Sequence, residues 1–234
     1  MSKKKVCVII PAFNEATVIA DVVKDAIKQF DKTSYETTVV VVNDSSEDNT
    51  SEIARKSGAV VIDHIMNSGA GGATATGLRY AELNGFDIGA TMDADGQHMS
   101  RDVLRGVDII AKSKIDLLIG SRLIDSRGMS RVKVLGNWGL SFITRILFGI
   151  KSTDSQSGMR IFSRKALQKL RWKTSGYEFC SEMLWRAYQQ NLNIDEYPIK
   201  AVYTDYSKSK GQNNWNGINI VKSLIKRRIG ELFG

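Results

Sequence analysis

Short runs of consecutive apolar and β-branched residues alternate along the chain with stretches in which apolar residues recur every three to four positions. The runs Val6–Ile10, Thr38–Val42, Val60–Ile62, Ile88–Met92 and Leu117–Ile119 predict five strands. Between them, Glu15–Phe30 gathers Val18, Val22, Val23, Ala26 and Ile27 on one helical face. Glu52–Lys56, the stretch holding Leu78–Leu83, and Val103–Ala111 predict three further helices. Strands that are apolar on consecutive residues lose both faces to the core, and intervening helices carry the chain back to start the next strand. The pattern therefore predicts an α/β domain whose mostly parallel central sheet is flanked by helices. In open sheets of this class, ligands sit beyond the carboxyl ends of the strands.

Those ends are polar. The first strand runs into Pro11-Ala12-Phe13-Asn14-Glu15, the second into Asn43-Asp44-Ser45-Ser46, and the fourth into Asp93-Ala94-Asp95-Gly96-Gln97-His98. Each is individually compatible with a helix cap or a turn. Asp93 and Asp95 fit a cap less well, because two carboxylates two residues apart at a strand end point into one crevice once the chain leaves the pleat. A hard divalent cation, sharing its oxygen shell between carboxylates and a diphosphate, suits that pair. Asn67–Ala73 is glycine-rich and opens a helix, where close backbone approach and a helix N-terminus favour an anion. A dinucleotide fingerprint is the rival reading; Thr74 stands where its third glycine belongs, and the run follows the third strand rather than the first.

Composition changes this picture little, and charge changes it more. The 234 residues are 42% hydrophobic and 25% charged, proportions of a single globular domain rather than a disordered or low-complexity chain. No run of 18 apolar residues predicts a membrane span, and the N-terminal apolar run is too short for a signal peptide. Cys7 and Cys180 have no metal-site or disulfide-framework spacing, which favours a reducing compartment. The net charge of +8 is distributed unevenly: residues 1–119 carry −4, 120–173 carry +10, 174–199 carry −3 and 200–234 carry +5. A basic block of that size suits nucleic acid, an anionic membrane or a phosphate-bearing substrate. Nucleic-acid binding leaves the acidic strand ends without a purpose, so no nucleic-acid partner is expected.

In order and spacing, Val8–Glu15, Val40–Thr50, Asn67–Ala81, Thr91–His98, Ile119–Arg122 and Asp154–Arg160 resemble glycosyltransferase family 2. Within that family, Asp-Ala-Asp-Gly-Gln-His, Gly-Ser-Arg and Asp-Ser-Gln-Ser-Gly-Met-Arg are most similar to enzymes that glycosylate polyprenyl or dolichyl phosphate. The resemblance implies the nucleotide-binding fold called GT-A, here as one domain. Residues 1–205 would form the transferase body, and 206–234 a mobile loop and a basic amphipathic helix of the same domain. It also implies a nucleoside-diphosphate sugar as donor, polyprenyl phosphate as acceptor, and Mg2+ or Mn2+ as cofactor. The protein would sit peripherally on the cytoplasmic face of the membrane.

The same resemblance assigns roles residue by residue. Pro11, Phe13, Glu15 and Asp44 match the base-binding loops, although the family usually shows two adjacent acids where this chain has Asn43-Asp44. Gly71 and Gly72, together with Asp93, Asp154 and Gln156, match further substrate-binding positions. Asp95 matches the metal site, with Asp93 and Gln97 assisting, and Arg122 and Arg160 match candidates for holding the acceptor phosphate. Glu182 stands where related transferases keep a catalytic acid, and pairing with Arg186 one turn on is the alternative. A saccharide hydroxyl as acceptor is the competing reading, and it would make Glu182 an essential base. His98 follows the acidic motif as in lipid-phosphate transferases, whereas His64 has no such match and reads as a strand-end residue. Trp138, Phe142, Ile143, Ile146 and Leu147 recur at helical spacing near Arg131, Lys133 and Arg145, which suits either a core helix or a membrane contact. Asn67–Ala73 also resembles the corresponding segment of transferases that use UDP-sugars more than that of GDP-sugar enzymes, which implies a UDP-sugar donor.

Overall fold

The computed structural model describes residues 3–127, 129–200, 202 and 221. The loop and helix expected over 206–234 lie outside the described residues, except for Val221. The chain runs β1 (Lys5–Ala12), α1 (Ile19–Phe30), β2 (Glu36–Asn43), α2 (Thr50–Lys56), β3 (Val60–Asp63), α3 (Gly69–Leu83) and β4 (Ile88–Thr91). It continues through α4 (Ser100–Ala111), β5 (Leu117–Ser121), α5 (Arg131–Phe148), β6 (Arg160–Ser163), α6 (Arg164–Lys169), α7 (Phe179–Gln189) and β7 (Ile194–Pro198). The seven strands form one sheet in the order β3-β2-β1-β4-β6-β5-β7. Every pairing is parallel except those of β6, which runs antiparallel to both β4 and β5.

Side-chain alternation along the buried strands divides the core into two layers. Cys7 and Ile9 of β1 join Val40 and Val42 of β2 under α3, α6 and α7. Val6, Val8 and Ile10 join Val39 and Val41 under α1, α2 and α4. Helix α3 sits directly on β1, because Gly77 leaves room for the Ile9 side chain that a Cβ would overlap. Helix α1 starts at Ile19, four residues later than the periodicity predicts. Asn14 adopts φ 54°, the Glu15 carbonyl accepts from the Val18 and Ile19 amides in a turn, and the Glu15 amide donates to Thr50 Oγ1 at 2.8 Å. The polar residues before Ile19 thus belong to the rim.

Two strands escape the hydrophobic pattern. β6 carries only Ile161 and Phe162 as apolar residues, one for each core layer, and β7 is an edge strand of sequence IDEYP in which only Tyr197 is buried. The reversal of β6 has a consequence for function. Its amino end lies beside the carboxyl ends of β1, β2, β4 and β5, so Asp154–Arg160 reaches the same rim as Asp44 and Asp93.

Candidate active site

The loop leaving β4 is a tight turn closed on itself. The Asp93 amide donates to His98 Nδ1 at 3.0 Å, Gly96 takes φ 76°, and the Asp95 carboxylate accepts from the backbone amide of Gln97 at 3.0 Å and from its side-chain amide. Buried His98 thereby holds the turn in shape. Burial, and then the charge of Asp93, push the Asp95 carboxyl above its ordinary value, against the pull of the Gln97 hydrogen bonds. Two neighbouring carboxylates at a partly exposed rim, the second held against ionisation by the first, fit a hard divalent cation. Among the described residues no cluster of three or more His, Cys, Asp or Glu side chains forms a metal site. Two protein carboxylates with phosphate oxygens and water is therefore the donor set that fits. Gln97, expected as an assisting ligand, turns its amide nitrogen onto Asp95 and orients that carboxylate instead.

The same rim, at the end of β5, carries a cation in a fixed pose. Arg122, just past β5, donates through Nε and Nη2 to the two oxygens of Asp154 at 2.7 and 2.9 Å, and its backbone amide adds a 3.1 Å bond to Asp154 Oδ2. Asp154, expected at a substrate-binding position, is fully buried and forms the fork that aims Arg122. Gly158 lets this segment approach the acidic loop, since a Cβ there would overlap the Asp93 carboxylate. Gln156 donates to the hydroxyls of Ser155 and Ser181 at 3.2 and 2.8 Å, tying the segment to α7.

Arg160 is not available to an acceptor. It is 1% exposed, and its guanidinium donates to the carbonyls of Ser157, Cys180 and Ser155 at 2.8–3.0 Å. Burial lowers its pKa, and it acts as a staple between β6 and α7. Glu182, expected as a catalytic acid, is likewise fully buried. Its carboxylate accepts from the amides of Lys173 and Thr174 at 2.9–3.2 Å and from Thr174 Oγ1 at 2.6 Å, with Arg186 Nε at 3.4 Å. It clamps the segment preceding α7. That segment in turn explains the glycines of α3. The Gly71 amide donates to the Ser175 carbonyl at 2.8 Å, and a Cβ on Gly71 would lie 2.5 Å from the Thr174 carbonyl oxygen. The expected approach of Gly71 to a ligand is thus taken up by the protein's own backbone, and a Cβ on Gly72 would meet the Ser68 hydroxyl.

The loops after β1 and β2, the expected base-binding loops, are cross-linked. The Asn14 amide donates to Ser46 Oγ at 2.9 Å, the Glu47 amide to Asn14 Oδ1 at 2.8 Å and the Ala16 amide to Asp48 at 3.1 Å. Phe13 projects from this frame, 44% exposed, with Pro11 and Glu15 on either side. Asn43 donates to Asp63 Oδ1 at 2.9 Å and accepts from the Ser46 amide at 3.3 Å, while Asp44, nearly fully buried, turns its carboxylate onto His64 and onto Ser68 at the start of α3. Burial raises the Asp44 pKa, but the Ser68 amide and hydroxyl, His64 and the Gly69 amide outweigh it and hold the carboxyl below its ordinary range. Sequence reasoning missed two residues here. His64 bonds Asp44 at 2.8 Å. Tyr177, half exposed just before α7, has its hydroxyl pKa raised by burial and then by the charges of Asp93, Asp95, Cys180 and Glu15.

A mostly parallel sheet with one reversed strand and a paired-carboxylate rim at the strand ends match the GT-A class of transferase. The family model for Glycosyl transferase family 2 matches residues 7–171. The chain belongs to that family and is a glycosyltransferase. It is 37% identical, over 99% of both chains, to a UDP-N-acetylglucosamine–dolichyl-phosphate N-acetylglucosaminyltransferase of Methanococcus voltae. An undecaprenyl-phosphate mannosyltransferase of Micrococcus luteus is 29% identical over 88% of this chain and 87% of the relative. In fold, the chain superposes with a TM-score of 0.69 on glucosyl-3-phosphoglycerate synthase from Mycobacterium tuberculosis, solved with Mn2+, UDP-glucose and phosphoglyceric acid. That likeness, at 21% identity, covers 94% of this chain and 79% of the other.

Proposed function

We propose that the protein transfers a sugar from a nucleoside-diphosphate sugar, a UDP-sugar by preference, to polyprenyl phosphate, with inversion at the anomeric carbon and dependence on Mg2+ or Mn2+. The observation that carries this reading is the pairing of two opposite poles on one rim: the Asp93–Asp95 carboxylates, and Arg122 held by buried Asp154. Asp93 and Asp95 would hold the cation, which supplies Lewis-acid neutralisation of the leaving diphosphate when bound. Phe13, Glu15 and Asp44 would receive the base. Arg122 would hold the acceptor phosphate, already an anion and able to attack without losing a proton. The burial of Glu182 under backbone amides supports that economy, because a hydroxyl acceptor would need a base within reach. Arg122→Ala is expected to raise KM for polyprenyl phosphate about tenfold or more, the worth of a charge-assisted hydrogen bond, with donor KM unchanged. An unchanged acceptor KM would remove Arg122 from the acceptor site.

The proposal extends to the membrane surface. No helix among the described residues is long and apolar enough to cross a membrane. Helix α5 turns a mixed side inward: Ser141 and Thr144 are buried against Ser155 and Ser181, and Phe148, with Leu140 and Leu147, packs on the core. Val132, Leu135, Trp138, Phe142 and Ile146 form the outward stripe, each 47–71% exposed, with Trp138 and Phe142 stacked at 5.4 Å. The exposure of that stripe argues against the core-helix reading. Exposed Arg131, Lys133 and Arg145 border it, an arrangement suited to an anionic bilayer surface. Trp138→Glu with Phe142→Glu is expected to abolish flotation with anionic liposomes at low salt while donor binding persists. Flotation equal to the parent protein would place the contact elsewhere.

A further inference from the structure

We infer that His64 is a positioning residue for the donor nucleotide, setting the pose of the Asp44 carboxylate on which base binding depends; the inference rests on the nucleotide-sugar reading above. His64 follows β3 directly and belongs to no motif of the transferase pattern. Its ring spans three elements. Nδ1 lies 2.8 Å from Asp44 Oδ1, past the end of β2, and 2.9 Å from Ser68 Oγ at the N-cap of α3; Nε2 lies 2.9 Å from Thr76 Oγ1 within α3. An ionised carboxylate only accepts, so the Asp44 contact places a proton on Nδ1. The Thr76 hydroxyl rotates freely enough to donate to Nε2 or accept from it, and it anchors the far edge of the ring.

Asp44 Oδ1 therefore collects three donors: His64 Nδ1, the Ser68 amide at 2.8 Å and the Ser68 hydroxyl at 2.7 Å. The two from Ser68 arrive from one residue at the start of α3, and the third arrives from the end of β3. Donors converging from two elements fix the plane of the carboxylate, and a fixed plane spares a bound base the cost of ordering it. The side chains of Asp44 and His64 are 5% and 16% exposed, so water competes weakly for these bonds. The first partner of the chain beyond the sheet, Asn67, adds a bond from Nδ2 to the Asp44 carbonyl at 3.2 Å, so backbone and side chain are located together.

Two substitutions separate positioning from bulk. Asn places its amide nitrogen where His places Nδ1, and Gln places its amide nitrogen where His places Nε2. His64→Asn keeps the donor to Asp44; His64→Gln keeps only the Thr76 contact. The test is calorimetric titration of the full-length protein with UDP, and in parallel GDP, in the presence of Mn2+, with thermal melting and steady-state kinetics alongside. Expected are about tenfold weaker nucleotide binding for His64→Gln, near-parental binding for His64→Asn, and a donor KM that moves while kcat does not. His64→Gln binding as tightly as the parent, His64→Asn falling equally far, or a Gln variant that no longer melts cooperatively would each overturn the inference. Asp44→Asn serves as the reference. If it weakens nucleotide binding while His64→Gln does not, only the role of His64 falls; if it leaves binding intact, the base-binding reading of Asp44 falls first.

Discussion

Asp95→Asn is expected to reduce sugar transfer by at least about a hundredfold, the scale seen when a group stabilising transition-state charge is removed. The fold should survive, and thermal stability should hold or rise. The Asp95 carboxyl is pushed up by burial and by Asp93, so its ionised form costs the folded state free energy that an amide does not. Asparagine is also close in shape: its oxygen still accepts from the Gln97 backbone amide, and the partly exposed Gln97 side chain can turn its own oxygen to the new NH2 group. The parent protein should gain thermal stability from UDP together with Mn2+, by mass action, and the variant should not. Excess chelator should reproduce the loss of activity in the parent. Full turnover by Asp95→Asn, or by the parent protein in excess chelator, contradicts the assignment of the carboxylate pair.

Glu182→Ala is expected to destabilise the protein by about 3 kcal/mol or more, the second large effect. It removes a fully buried carboxylate and strands the Lys173 and Thr174 amides and the Thr174 hydroxyl, with Arg186 losing its ion pair. The damage should spread to the start of α3, because the clamped segment receives the Gly71 amide and sends Trp172 Nε1 to the Gly71 carbonyl at 3.1 Å. Glu182→Gln keeps one acceptor oxygen but sets its NH2 group among amide donors, so a smaller loss of roughly 1–3 kcal/mol follows. Denaturant unfolding measures both. Below its melting point the Gln variant should still turn over. A stable Gln variant without detectable transfer would restore Glu182 as a base and favour a hydroxyl acceptor.

Much of this architecture was legible because hydrophobic periodicity reports burial. β1, β2, β4 and β5 are apolar on consecutive residues because both of their faces are covered, and the polar residues that follow them do line the rim. β6 escaped because only Ile161 and Phe162 are apolar between Arg160 and Ser163, and β7 because its sequence IDEYP is mostly polar with Tyr197 alone buried, so neither writes an apolar run. Charge was harder to interpret than apolarity. Asp154, Arg160 and Glu182 sit in motif positions, yet the chain alone does not distinguish a charge facing a substrate from one satisfied by buried carbonyls or amides. Gly71 was ambiguous for a related reason: a glycine reports close approach, not what approaches, and here the backbone of Thr174 and Ser175 approaches it. His64 was invisible because its partners Asp44, Ser68 and Thr76 lie 20, 4 and 12 residues away and meet only in the fold.

The central claim concerns the acceptor, and one measurement addresses it most directly. Purified protein in anionic liposomes, with Mn2+ and a labelled UDP-sugar or GDP-sugar, is offered polyprenyl phosphate, the corresponding polyprenol and an oligosaccharide side by side. The account predicts label in a charged, organic-soluble sugar–phosphate–lipid formed from polyprenyl phosphate alone. The polyprenol fails because it offers neither the anionic nucleophile nor a charge for Arg122 to hold, and the oligosaccharide fails because Glu182 is buried under the amides of Lys173 and Thr174. Label transferred to the oligosaccharide, with none on the lipid phosphate, would contradict it.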